Sequence, residues 1–377
     1  MMTFKRIISL MRKEFRQLFR NFALIGIIIY AVTLDPYTAG ELTLDLREYS
    51  IAVADMDKSV ASAEFAARLR EPFFNIKRRI HSTAPMEDML IDGDVAMVMV
   101  IPEGFERNLT AREQAPVQMV FDGTNANSAT IALSYIAGIA AEYSESVMLE
   151  RWRLSPDSLD NFPYVRDQTR VLFNPNLNDS WFMVVSEFLT ALTMIAILLP
   201  AALTVYEKQF GTMEQLMVTP LRVYEIMLAK ILTTAVVIIL ASYLGIYSVI
   251  IGAKGIPMRG SILYFTLVTA VFLFASSGLG LLIATVTKNL SETILVTFIV
   301  LVPIMFLSGT WTPPEAMPDW MRALIYFSPL TYYLDISYGI FFRGVGLAET
   351  WIPLSLLLGL GVLIFTLGAL RFRKKFA

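Results

Sequence analysis

The sequence predicts an α-helical integral membrane protein: six transmembrane helices, an N-terminal interfacial helix and an inserted α/β domain outside the membrane. Three observations carry this prediction. Long apolar runs nearly free of charge recur along a chain that is 55% hydrophobic and 17% charged. Basic clusters mark both ends, and a single stretch of soluble composition, 40–180, interrupts the apolar pattern. With a mean hydropathy of +0.58, the chain falls outside the composition of soluble globular proteins. The 31 Lys and Arg nearly balance 33 Asp and Glu, so no overall basic field is available to hold nucleic acid. The absence of Cys removes thiol nucleophiles and thiolate metal sites, and the lone histidine, His81, precludes a His-rich metal site.

The first element is residues 1–21. Phe4, Ile7, Ile8, Met11, Phe15, Leu18, Phe19 and, just beyond, Phe22 recur at helical spacing, with Lys5, Arg6, Arg12, Lys13, Arg16 and Arg20 between them. This pattern predicts an interfacial helix whose apolar face lies at the acyl boundary and whose cations meet anionic headgroups. No soluble domain lies near it in sequence to receive that face.

A helix that crosses a bilayer needs about 20 apolar residues, because the hydrocarbon has no water to satisfy backbone amides. Five runs meet this need: 181–206, 231–253, 260–287, 293–314 and 350–370, of which only the first holds a charge, Glu187. The sixth, Phe22 to Leu34, is short and reaches spanning length, 22–39, only with Asp35-Pro36-Tyr37-Thr38-Ala39 at the far interface. Basic flanks stay in the cytoplasm. The first twenty residues carry six cations against Glu14 alone, and the C-terminus reads Arg371-Phe372-Arg373-Lys374-Lys375, so both termini are expected in the cytoplasm and the number of spans is even. A cleaved signal peptide is the alternative for the first run, but the preceding basic region is long for one.

Within 40–180, strands are expected at 49–54, 73–78, 95–101 and 116–121, with helices at 60–70, 85–91 and 103–109. Their alternation predicts a small α/β unit. A long helix, 125–152, should follow, and then a Pro- and Asn-rich linker ending Phe173-Asn174-Pro175-Asn176. The acid pairs Asp55/Asp57 and Asp92/Asp94 fit solvated caps better than metal ligands, and His81 fits a surface position. The unit is expected to serve contact: with a twin, with an extracytoplasmic adaptor protein, or with whatever leaves the membrane.

The loop 207–225 joins the second and third spans on the cytoplasmic side. Gly211-Thr212 precedes a short helical pattern, Thr212 is placed to cap it, Glu214 and Gln215 suit its first turns, and Thr219-Pro220 stops it. Met213, Leu216 and Met217 are apolar knobs that could seat in a groove on another protein, although a plain connecting turn accounts for the pattern as well.

Residues 206–230 resemble the cytoplasmic loop of ABC transporter permeases of the type 2 exporter class, in which this pattern marks the ATPase-coupling helix. The matching residues are Glu207, Gly211, Thr212, Glu214, Leu216, Thr219, Pro220, Glu225 and Lys230, with departures at Lys208-Gln209 and Ala229. Leu307-Ser308-Gly309-Thr310-Trp311-Thr312-Pro313-Pro314 and Ser328-Pro329-Leu330-Thr331-Tyr332 resemble the outer re-entrant region of that class, placed here at 307–345. Val100-Ile101-Pro102-Glu103-Gly104-Phe105 and Phe121-Asp122-Gly123-Thr124-Asn125 resemble the subgroup with a large external loop.

The resemblance implies a bacterial inner-membrane permease subunit that exports a hydrophobic or amphiphilic substrate, whether drug, lipid or glycan-lipid. It implies ATP and Mg on a separate ATPase subunit, and a second permease chain, identical or paralogous, across the pathway. No Gly-x-x-x-x-Gly-Lys-Ser/Thr loop occurs in the chain, so no phosphate cradle and no cofactor site are expected in it. Glu187, Pro303, Ser308, Gly309 and Trp311 are the candidate pathway or gate residues, with interfacial placement the competing reading for Glu187. Pro303 is expected to kink the fifth span and let 307–309 fold back. Ala275-Ser276-Ser277-Gly278, Gly280, Gly359, Gly361 and Gly368 would let helices approach closely. Trp311, Trp320, Tyr326, Tyr332, Tyr333 and Tyr338 suggest an interfacial aromatic belt. The alternatives are an ion-coupled secondary transporter, which would show internal repeats and buried charges at mid-membrane, and a non-transporting receptor or scaffold, which would leave the coupling-loop pattern unexplained.

Overall fold

The computed structural model describes residues 2–41, 48–150, 173, 178–219, 221–308 and 317–376. The chain divides into two compact units, 1–42 with 170–377, and 43–169.

The first unit is helical. Six helices among the described residues are long and apolar enough to cross a membrane: Phe22–Ala39, Ser180–Gln209, Val223–Ala253, Ile262–Val286, Leu290–Leu307 and Leu347–Lys374. The helix α1 (Met2–Phe19) precedes α2 (Phe22–Val32) and α3 (Leu34–Ala39), which meet at Thr33 and together make the first span. Asn21 caps α2, its side chain accepting from Leu24 N. The first span is also tied to the end of the third, where Lys254 pairs with Glu41 at 2.6 Å and lies over the Tyr37 ring.

The second span is the hub. In α8 (Asp179–Gln209), 89% of the apolar window is buried by the rest of the unit, against 17% for the last span, so most of the apolar surface left over for lipid lies on the other spans. Thr193 and Thr204 fit this dry interior because they return their hydroxyls to the carbonyls of Leu189 and Pro200. The helix α11 (Ile262–Val286) comes so near α8 that a Cβ on Gly280 would lie 2.1 Å from the Ile197 carbonyl oxygen. Gly361 of α15 (Leu347–Phe376) similarly meets Phe274 and Ala275, and Gly278 meets Ile364. Gly359 has nothing within 4 Å of where a Cβ would stand, so its expected packing role is not found.

The fifth span, α12 (Leu290–Leu307), begins and ends earlier than 293–314. Pro303 lies inside it. The helix stops at Ser308, whose N–H and Oγ both donate to the Met305 carbonyl. Gly309 and Trp311 lie outside the described residues. Two short helices follow, α13 (Asp319–Ile325) and α14 (Pro329–Tyr338), the latter continuing as a π-helical turn, Gly339–Arg343. That turn is held by Arg259 N and Gly260 N, which donate to the Phe341 and Ile340 carbonyls. Trp320 and Tyr326 are exposed, as an interfacial belt requires. Tyr333 is not part of it: the side chain is fully buried, its ring stacked on Phe272 at 4.0 Å and its hydroxyl bonded to Thr269.

The second unit is a four-stranded sheet in the order β2-β1-β3-β4, with β1 (Tyr49–Asp55), β2 (Phe74–Ile80), β3 (Met97–Ile101) and β4 (Gln118–Phe121). The strand β1 runs parallel to β2 and β3, and β4 closes the sheet antiparallel to β3. Central parallel strands are covered on both faces, which is why β1 and β3 read as unbroken apolar runs. On one face Ile51, Val53, Met97 and Met99 pack under α4 (Val60–Ala67), α6 (Phe105–Ala111) and α7 (Ala126–Glu150). On the other, Ala52, Ala54, Val98 and Val100 pack under α5 (Met86–Ile91). Trp152 and the linker that follows it, apart from Phe173, lie outside the described residues.

The acidic pairs act as caps and ties. Asp55 accepts from Lys58 N and the Ser62 hydroxyl, and Asp57 accepts from Gly104 N at 2.7 Å and Glu106 N at 3.0 Å. Asp94 pairs with Arg78 at 3.0 Å.

Candidate functional site

The loop between the second and third spans is built around a turn only glycine makes without strain. Gly211 adopts φ +66°, in the left-handed region, and reverses the chain out of α8 into α9 (Thr212–Val218). Thr212 does not cap α9. Its hydroxyl reaches back 3.2 Å to the Glu207 carbonyl and so fastens α9 to the end of α8. The helix ends at Thr219, whose hydroxyl bonds the Leu216 carbonyl, and Pro220 lies outside the described residues. The third span, which opens with α10 (Val223–Gly245), starts with a one-sided cap in which Glu225 Oε2 accepts from Arg222 N at 2.8 Å while Glu225 N donates to the Arg222 backbone carbonyl at 2.9 Å.

Beneath this turn lies a buried ion cluster. The Lys230 side chain, 0% exposed, sits 2.9 Å from Glu14 Oε1 of α1 and 2.8 Å from Glu207 Oε2 of α8. Lys13 reaches both carboxylates as well, at 3.4 Å from Glu14 and in close contact with Glu207. Two carboxylates and two ammonium groups cancel, so the cluster is neutral as a whole. Neutrality matters because an isolated charge in such a place costs several kcal/mol. Burial holds the Lys13 ammonium below its ordinary pKa, only partly offset by Glu14. Arg6 approaches Glu225 at 3.9 Å, adding a second link from α1 to the start of α10.

The N-terminal helix therefore does more than lie in the headgroups. Leu10 packs with Ile226, Ala229 and Leu216, Leu18 joins the main helical core, and Glu14 is buried, while Phe4 and Phe19 remain exposed. Ala229, where the resemblance favours Gly, is buried against Leu10. Lys208, the other departure, donates from Nζ to the Ala284 carbonyl at 2.8 Å and to that of Thr287, pinning the end of α8 to the end of α11.

This architecture reverses the expected orientation of the short helix. Met213 is 2% exposed, packed with Met227, Ile231, Leu281 and Phe372, and Leu216 faces α1. Neither is a knob offered outward. The outward surface is Phe210, 75% exposed, Gln215, Val218, 88% exposed, Thr219, and Arg222 lying over the Tyr224 ring. Phe210 and Val218 were missed by pattern reading because amphipathic spacing identifies an apolar stripe without saying whether the chain itself covers it.

The three described candidate gate residues, Glu187, Pro303 and Ser308, do not line one cavity. Ser308 lines a cavity of about 850 Å³ with Arg322, Tyr332, Asp335, Tyr338 and Ile352, whereas Glu187 and Pro303 are not on its walls. Glu187 is half-buried, beside Ser186, whose hydroxyl shares a 2.7 Å hydrogen bond with Tyr338 at that wall.

Comparison with known proteins converges on the same reading. The family described as ABC-2 family transporter protein matches residues 22–370. The inner membrane transport permease YhhJ of Escherichia coli K12 is 32% identical over 372 residues, covering 98% of this chain and 97% of that one. The probable multidrug ABC transporter permeases YbhR and YbhS of the same strain are 28% identical over 379 residues and 27% over 353, covering 99% and 91% of this chain and 99% and 90% of theirs. With the match running through every span, the inserted unit and the loop with its buried charges, the chain belongs to the ABC-2 family of transporter permeases.

Proposed function

We propose that this permease subunit of an ABC exporter moves a hydrophobic or amphiphilic compound outward across a bacterial inner membrane, driven by ATP hydrolysed with Mg on a separate cassette ATPase. The observation that carries the coupling is the outward surface of α9 and its flanks, two exposed apolar side chains at the tip of a loop whose base is locked by buried ions. A surface of this kind fits a groove on a partner, and a base so fixed transmits a push instead of absorbing it. Glu207, Gly211, Thr212, Met213 and Leu216 then act as the frame, and Phe210, Gln215, Val218 and Thr219 as the contact. The Glu214 side chain is outside the described residues, so its role stays with the resemblance.

In this reading both termini and the loop are cytoplasmic and the 43–169 unit is external. The pathway forms between this chain and a second permease chain, with an external adaptor protein as a further partner. The hydrophobic cargo is favoured by two relatives named as multidrug permeases. The test is co-purification with the cassette ATPase encoded nearest its gene, followed by ATP turnover in nanodiscs. Val218→Asp and Phe210→Asp, both at exposed positions, should abolish association while leaving the permease folded; retained association in both variants refutes the coupling surface.

A further inference from the structure

The 43–169 unit contains a cavity of about 460 Å³ between α6, β4 and the second half of α7. It is a cleft partly open to solvent, not an enclosed void. Pockets that take small molecules run about 300–1,000 Å³. The floor is a cluster of three buried aromatic rings, Phe65, Phe105 and Tyr143, with centroids 5.2 to 6.5 Å apart. Ile136 and Met119 add apolar wall. The Tyr143 hydroxyl is turned away to donate to the Ala61 carbonyl at 3.0 Å, so the floor is apolar.

Apart from Ser144, whose hydroxyl turns back to donate to the Ala140 carbonyl at 2.7 Å, polar character is confined to one edge. Arg112, Glu113 and Gln114 follow the end of α6, and this edge is fixed in place. Arg112 holds a left-handed φ of 61°, Glu113 N donates to the Asn108 carbonyl at 2.9 Å, and Asn108 Nδ2 donates to the Gln114 carbonyl at 3.3 Å. A strained, hydrogen-bonded edge above an aromatic floor is a preformed arrangement, the kind that costs little to organise on binding. We infer that this cavity is a binding site for an amphiphilic small molecule, its ring or alkyl body on the Phe65–Phe105–Tyr143 floor and its polar head at the Arg112–Gln114 edge. Its service as a station for the exported compound rests on the proposed function; the binding itself does not.

The chain has no native cysteine, so one reporter reads the site in the full-length protein. Ser144→Cys, exposed at the cavity wall, and Ala141→Cys, exposed off the wall on the same helix, are labelled by a maleimide in nanodiscs without any ATPase. The probe is 1-anilinonaphthalene-8-sulfonate. The site predicts saturable slowing of Ser144→Cys labelling by at least about fivefold, no slowing at Ala141→Cys, and loss of protection when Ala140→Trp fills the cavity. Val117→Trp fills it from the opposite wall and serves where Ala140→Trp does not fold. Equal slowing at both cysteines, no slowing at either, or protection that survives a folded filling variant overturns the inference. Because no nucleotide or partner enters the assay, failure of the exporter reading would leave its result unchanged.

Discussion

Replacing Lys230 by methionine tests the buried cluster most directly. Methionine keeps much of the volume and removes the ammonium that stands 2.9 Å from Glu14 and 2.8 Å from Glu207. The site then holds two carboxylates against Lys13 alone, whose side chain is part-exposed and so spends some of its charge on water. Removing one partner from a buried ion pair typically costs about 3–5 kcal/mol, since the other charge is left uncompensated. At about 1.4 kcal/mol per tenfold, this is roughly two to four powers of ten in the equilibrium between docked and undocked α1. Hydrogen exchange reads that equilibrium locally. Peptides covering residues 2–19 in nanodisc-embedded Lys230→Met should lose protection by about that factor, while the 43–169 unit keeps its own. Adding Glu14→Gln removes the surplus negative charge and leaves Glu207 with Lys13, so the double variant should recover most of the loss. Unchanged α1 protection in Lys230→Met, or a double variant no better than the single one, refutes the cluster as the lock between α1, α8 and α10.

Three further outcomes are expected. Asp57 is partly buried, which works against ionisation, but bonds from Ser59 and from the backbone of Glu106 and Gly104 prevail and hold its carboxyl below the usual range. Its contribution is therefore complete above the unfolded value near 3.9 and is lost as pH falls from there through the lower folded value. Asp57→Asn should cost about 1–3 kcal/mol at neutral pH, and acid unfolding followed by circular dichroism should show a shallower loss of the 43–169 unit over that window. Gly280→Ala places a methyl 2.1 Å from the Ile197 carbonyl oxygen and should lower the thermal midpoint in detergent by several degrees or prevent folding, whereas Gly359→Ala, with open space around it, should leave the midpoint within a degree or two. Val218→Asp should lose ATPase association in pull-down with no change in its own melting, because the side chain is already exposed.

The match between sequence and fold is closest where one local property decides the outcome. The spans come from apolar length, and the α/β unit from strand and helix periods bounded by turn residues; both survive with boundary shifts of a few residues, as at β2 and α4. The fifth span shows the limit. Its apolar run continues to Pro314, but the helix stops at Ser308, because hydropathy records what the membrane tolerates and not where backbone hydrogen bonding ends. Tyr333 shows it again: an aromatic among interfacial neighbours is drawn into the core by a ring and a hydroxyl on another helix, Phe272 and Thr269.

By itself, the sequence determined that the chain is a membrane protein, how many times it is built to cross, that a soluble unit is inserted after the first crossing, and which family its loop belongs to. These follow from the short-range chemistry of hydrocarbon, strand and turn. The tertiary structure alone decided which side of the short loop helix is free and where the charges of α1 go. Glu14 finds Lys230 across 216 positions of sequence, and Met213 turns inward because α10, α11 and α15 meet beneath it. A helical pattern states that a face is apolar or a residue charged; which neighbour covers that face or neutralises that charge is settled only when distant segments pack in three dimensions.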